Sequence, residues 1–211
     1  AVIATNQVDL VCLPQLEATV ALRVADDATL AATLRGLGYS VREGLAGAAA
    51  GEILVANKYT ADLQTLVQQG ARLLLITDAA TAAAPDAVNL PMGGIAPREG
   101  TSWQGDWATS FAWVRKQGPL ATLPGSPILE MEWSPIMPDS VLLSHQPWIQ
   151  REHSWAGLAV GWVHKVASLL MVMPYGRGQM ATTTFKLNTN TLATNAVART
   201  LFAGILALLK E

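Results

Sequence analysis

"EILVANKYTADLQTLVQQGARLLLITD", residues 52–78, decides the architecture. Its two ends, "EILVAN" (52–57) and "RLLLITD" (72–78), are continuous apolar runs, the pattern of strands buried on both faces. The middle alternates with helical period. Thr60 can cap the start, Leu63, Leu66 and Val67 face inward, and Gly70 stands at the stop. The same order precedes it. "VALRV" (20–24) reads as a strand, and "ADDATLAATLRGLGY" as a helix capped by Asp26 or Asp27, with Leu30, Leu34 and Leu37 as its stripe and Gly38 as its end. "YSVREGL" resumes as an extended segment. Repeated strand–helix–strand order predicts an α/β fold, a largely parallel sheet with helices on both faces.

From about 79 to 138 the periodicity is lost. So long a stretch without regular structure is unusual in a compact domain. Short helices and a long Trp-rich excursion held down by aromatics are expected there. Regularity returns with "SVLLSH" (140–145) as a strand. "WAGLAVGWVHKVASLLMVMPYGRGQMATTTFKL" reads as two or three more strands, with "PYGRGQ" (174–179) as a hairpin turn. "NTLATNAVARTLFAGILALLK" closes the chain as one amphipathic helix through Leu192, Val197, Leu201, Ile205 and Leu208. No internal repeat is found. One domain over 1–211 is the simplest count, with 1–19 a candidate lead-in from a preceding domain.

Composition narrows the function classes. A net charge of −2 and the lack of any Lys/Arg run remove the electrostatic footprint of a nucleic-acid binder. No apolar stretch reaches the roughly 18–20 residues of a membrane-spanning helix. The opening "AVIATNQVDLVCLP" lacks the basic n-region of a signal peptide. One cysteine, Cys12, allows no internal disulfide and assigns no compartment. Only 14% of residues are charged, well below the usual quarter. Such a surface is expected to be partly covered, by other domains of the same polypeptide or by a homo-oligomer partner.

Two segments carry a resemblance. "YGRGQMATTTFKL" followed by "AVARTLFAGILALL" resembles the end of class I glutamine-amidotransferase-like domains. The ordered set "GDWATSFAWV", "GPLATLPGSPIL", "MPDSVL", "GLAVGWVHKVASLLM" and "YGRGQ" is similar to the C-terminal region of some glycoside hydrolase family 2 proteins, of the β-galactosidase or β-glucuronidase kind. The resemblance covers residues 100–211, and 20–80 as a pattern. It implies a flavodoxin-like three-layer fold and an accessory domain, since the catalytic carboxylates of those enzymes sit on a separate barrel.

An active amidotransferase needs a cysteine on a glycine-flanked elbow between strand and helix. Here Cys12 precedes the strand–helix repeat, and Asp78 and Ala79 follow "LLLIT". No catalytic residue, cofactor or metal is therefore assigned. His145, His153 and His164, even with Asp139, have no tight ligand spacing. Glu130 and Glu132 in "ILEMEW" would share a face if extended, which a solvated strand edge explains equally well. In "YGRGQ" both glycines read as turn positions needing positive φ rather than as a phosphate cradle.

Trp103, Trp107 and Trp113 stand within eleven residues, and Trp103, Trp107 and Phe111 are spaced i, i+4, i+8. That spacing is most often a helix face laid on a core. Exposed indoles would instead suit sugar faces, with Trp133, Trp148, Trp155 and Trp162 adding to the supply. The leading expectation is a non-catalytic accessory domain of a larger carbohydrate-active hydrolase. The alternatives are a carbohydrate-binding module using Trp103, Trp107 and Trp113 on an oligosaccharide, and an independent hydrolase or transferase with an unrecognised site.

Overall fold

The computed structural model describes residues 20–105, 110–161 and 165–211. The chain is α/β, with helices on both faces of a mixed ten-stranded sheet. Its first half comprises β1 (Ala21–Val24), α1 (Ala28–Gly36), β2 (Ser40–Glu43), β3 (Ile53–Ala56), α2 (Ala61–Gln68) and β4 (Arg72–Ile76). Then follow α3 (Ala79–Ala82), β5 (Gly93–Pro97), β6 (Ser110–Val114), β7 (Ser140–Ser144), α4 (Pro147–His153), β8 (Ser154–Val160), β9 (Lys165–Tyr175), β10 (Gly178–Thr183), α5 (Thr189–Thr194) and α6 (Ala196–Leu208).

The strands run in the order β2-β1-β3-β4-β10-β9-β7-β5, with β8 pairing β9 and β6 pairing β8. From β2 to β10 every pair is parallel. From β10 onward every pair is antiparallel. The parallel half follows from the apolar runs read above. Leu73, Leu74 and Leu75 are all fully buried, as both-face burial requires.

Alternate strand residues feed two cores. Leu22, Val24, Ile53, Val55 and Leu74 face α1, α5 and α6, where Leu30, Leu34, Leu192, Leu201 and Ile205 meet them. Leu54, Leu73, Leu75 and Met180 face α2 through Leu63 and Val67. Arg23 breaks this pattern: it points to the second side, 5% exposed. There, residues 44–52 run where a crossover helix would lie. The Arg23 Nη1 donates to the carbonyls of Gly44 (3.1 Å) and Ala46 (3.0 Å), and its Nε lies 3.1 Å from the Glu52 carboxylate. That last contact is an ion pair without good hydrogen-bond direction.

Residues 79–138 hold short helical segments, α3 and the 3₁₀ turns Gly118–Leu120 and Met131–Ile136, and two strands not read from the sequence, β5 and β6. Two expectations are revised. Phe111 lies in a strand, not on a helix, because "SFAWV" pairs with β8 over its whole length and such residues suit a pleated surface. The closing helix is two helices. Asn195 ends α5 with extended backbone (φ −112°, ψ 121°) and caps α6 by accepting from the Ala198 N–H at 2.9 Å. An asparagine offers the backbone that alternative more readily than a straight-chain residue does.

Candidate functional site at the carboxyl edge of the sheet

Open α/β sheets bind ligands outside the carboxyl ends of their parallel strands, at the point where strand order reverses. Here that point lies between β1 and β3. Asp27 caps α1 by accepting from the Leu30 N–H (2.8 Å), and its other oxygen accepts from Asn57 Nδ2 (2.8 Å). One carboxylate thus occupies the helix start and bridges the crevice. Asp26 stands exposed beside it, which makes the edge unfavourable to anions.

The neighbouring ends are closed in the same way. Thr60 caps α2 (3.4 Å to Leu63 N). Lys58 Nζ meets Asp86 at 2.5 Å and, as a donor to its carboxylate, holds the Asp86 carboxyl below its usual range. After β4, Asp78 has extended backbone (φ −138°, ψ 178°), and its carboxylate accepts from Thr81 N (2.7 Å) to cap the single turn α3. The Ala79 N–H donates to Ser140 Oγ (3.1 Å). Each helix-start N–H named here has a partner from the chain itself.

Beside this edge, Tyr59, Leu75, Thr77, Ala82, Val88 and Ile95 line a cavity with room for about one water. Tyr59 is 3% exposed and its hydroxyl has no well-directed partner. It faces Tyr175, whose hydroxyl already accepts from Gln64 (2.9 Å) and Gln68 (3.0 Å). Burial first, and Tyr175 second, hold the Tyr59 phenol well above the usual tyrosine range. Below the ordinary value of 10.0 the phenol is neutral whether the chain is folded or not. Above it the unfolded chain ionises first, so stability falls as pH rises through the alkaline range. Tyr59→Phe is expected to change stability at neutral pH by no more than about 1 kcal/mol, since it removes an orphaned hydroxyl. It should also flatten the alkaline loss. Urea midpoints at pH 7 and above pH 10 check both. An unchanged alkaline limb would assign the effect to Tyr39, the other tyrosine raised by burial.

The residues singled out in the sequence do not converge. Trp103 is half-buried on the first core, with Lys165 Nζ 5.4 Å from its ring centroid. Trp113 lies in β6 between Ala112 and Val114, which enter that core, so it points to the opposite face. Trp107, like Cys12 and His164, lies outside the described residues. His145 follows β7 and is exposed, whereas His153 is in the last turn of α4. Asp139 pairs with Lys186 at 2.7 Å. Glu130 precedes a 3₁₀ turn that contains Glu132, so the two are not on one extended face. Among the described residues no three His, Cys, Asp or Glu side chains gather as metal ligands would. The aromatic that fastens the middle of the chain is Trp133, fully buried, with its ring 5.9 Å from that of Phe185.

No family model matches this chain, and no curated protein does. Among solved structures, it is similar to a cytoplasmic protein from Salmonella typhimurium LT2. The TM-score is 0.53 at 11% identity, over 92% of this chain and 100% of that one. The likeness is one of fold alone.

Proposed function

We propose that the chain is a non-catalytic, amidotransferase-like accessory domain of a larger carbohydrate-active hydrolase, built on a flavodoxin-like sheet with a long Trp-rich insertion between β4 and β10. The strand order β2-β1-β3-β4-β10 supports the flavodoxin-like reading, since it repeats the 2-1-3-4-5 order of that fold. The observation that carries the function is at Asp78. Where an amidotransferase would strain its backbone to expose a nucleophile, this residue has relaxed extended geometry, and its carboxylate is committed to capping α3. The bridged crevice at Asp27–Asn57 points the same way. Such a domain braces neighbouring domains or subunits instead of turning over substrate.

The test uses a glycoside hydrolase polypeptide that carries this sequence, with and without residues 20–211. Deletion is expected to lower the melting temperature or the assembly mass while leaving kcat per folded catalytic centre unchanged. The 211-residue chain alone should release nothing from nitrophenyl glycosides or from glutamine. Turnover by the chain that is lost in Asp78→Asn, or a fall in kcat with the assembly intact, would overturn the proposal.

A further inference from the structure

The outer face of β6, β8 and β9 carries an apolar surface that the core does not use. Phe111 stands opposite Ala159, and Ala159 opposite Val166, in one row across the three strands. Phe111 is 46% exposed and Val166 49%. A second row joins Ile128, 42% exposed, to Trp113 and Gly157. Leu129 N donates to Ala112 O and Val114 N to Pro127 O, so Ile128 and Trp113 form a non-hydrogen-bonded pair, the kind whose side chains approach most closely. Ala112, Val114, Leu158, Val160 and Ala167 alternate into the core behind. Three of the five exposed large hydrophobic side chains of the described residues therefore share this one face.

Trp113 packs across Gly157 on this face. A Cβ built at Gly157 would sit 2.6 Å from Cζ2 and 2.7 Å from Cε2 of the indole, so the half-buried ring lies against the glycine. Continuing the same alternation, Arg115 stands at the end of the Phe111–Trp113 row, its Nη2 donating to the Arg151 carbonyl. A guanidinium fixed in this way keeps further in-plane donors at the rim.

We propose that this face is a stacking platform for a neutral oligosaccharide, with Trp113 and Phe111 under the sugar rings and Arg115 donating to their hydroxyls. Among the described residues, its extent favours a small ligand over a protein. A few half-exposed side chains present on the order of 300 Å². A stable dimer needs about 800 Å² per partner. The platform stands independently of the accessory-domain reading, and it differs from the Trp103, Trp107, Trp113 set because Trp103 lies on the other side of the sheet.

Affinity electrophoresis of the full chain through gels cast with xylan, galactan, mannan or hydroxyethylcellulose is the test, with fluorescence titration against the matching hexasaccharides. At least one polysaccharide is expected to retard the protein. Phe111→Ser, at an exposed position, should weaken binding about tenfold, equivalent to about 1.4 kcal/mol. Trp113→Ala should weaken it further, and its fold is checked by circular dichroism because Trp113 also covers Gly157. Trp103→Phe should leave binding unchanged. No retardation by any polysaccharide, or retardation that survives both platform variants, overturns the proposal. So does a concentration-dependent dimer that Phe111→Ser dissolves, which would make the face a contact between copies.

Discussion

Arg23→Ala is expected to cost about 3–5 kcal/mol, the usual penalty for removing one partner of a buried ion pair. Arg23 stands inside β1, and its loss would leave Glu52 without its ion-pair partner and the carbonyls of Gly44 and Ala46 without their donor. Among the described residues, Glu52 would retain only the Ala49 N–H at 3.2 Å and Arg42 at 4.0 Å. Because a domain is stable by roughly 5–15 kcal/mol in all, a large part of the total is at stake. Urea unfolding measures it. The double variant Arg23→Met/Glu52→Leu should recover most of the loss, since a buried pair replaced by apolar side chains of similar volume is close to neutral. A cost for Arg23→Ala under about 1 kcal/mol would mean that the pair is as solvated as a surface one.

Gly178→Ala is the second large effect. An added Cβ would sit 2.0 Å from the carbonyl oxygen of Ala71 and 2.4 Å from that of Val67. Both are backbone atoms, so no side chain can swing away. Either β10 moves off β4, to which it is paired from Gln179 to Thr183, or the end of α2 shifts. Overpacking of this kind costs about 3 kcal/mol, or about 6–12 °C in melting temperature for a chain of this size. Gly94→Ala is the control: it lies in β5 with nothing within 4 Å of the new atom. Melting curves that put the two variants level would remove the close approach from the account.

Gly178 also shows where reading a sequence stops. "YGRGQ" announces a turn, and both glycines are explained there by positive φ. Only Gly176 adopts it, at +61°. Gly178 is needed for the contact with Ala71, a residue over a hundred positions away, and no local pattern encodes such a contact. The parallel strands and α1, α2 were legible because their signals are local: apolar runs, caps at Asp27 and Thr60, and glycines just past the helix ends. The antiparallel half was legible only in part. β9 and β10 are joined by a short turn, whereas β5 and β6 are short strands whose partners, β7 and β8, come much later in the chain.

The candidate site was less legible than the fold. Asp26 or Asp27 could be read as a cap, but the Asn57 bridge requires β1 and β3 to be neighbours, which only the topology supplies. Among the tryptophans, sequence spacing favoured a helical stripe of Trp103, Trp107 and Phe111. The pleat instead turns Phe111 and Trp113 to one face, and Ile128 and Val166 join them by pairing that no spacing in "TSWQGDWATSFAWV" reveals. A period-2 reading of 110–114 alone would have coupled Phe111 to Trp113.

β10 occupies the middle of the sheet, yet it follows all the other strands in sequence. Its neighbour β4 ends roughly a hundred residues earlier, so their pairing waits on a long loop closure, and folding should be slow for a chain of this size. While the protein is being synthesised, Leu73–Ile76 present an open, strongly apolar strand edge, the kind of template on which another nascent chain can pair. Escape from misassembly in the cell therefore depends on how quickly the segment from Gly178 to Leu208 emerges and docks.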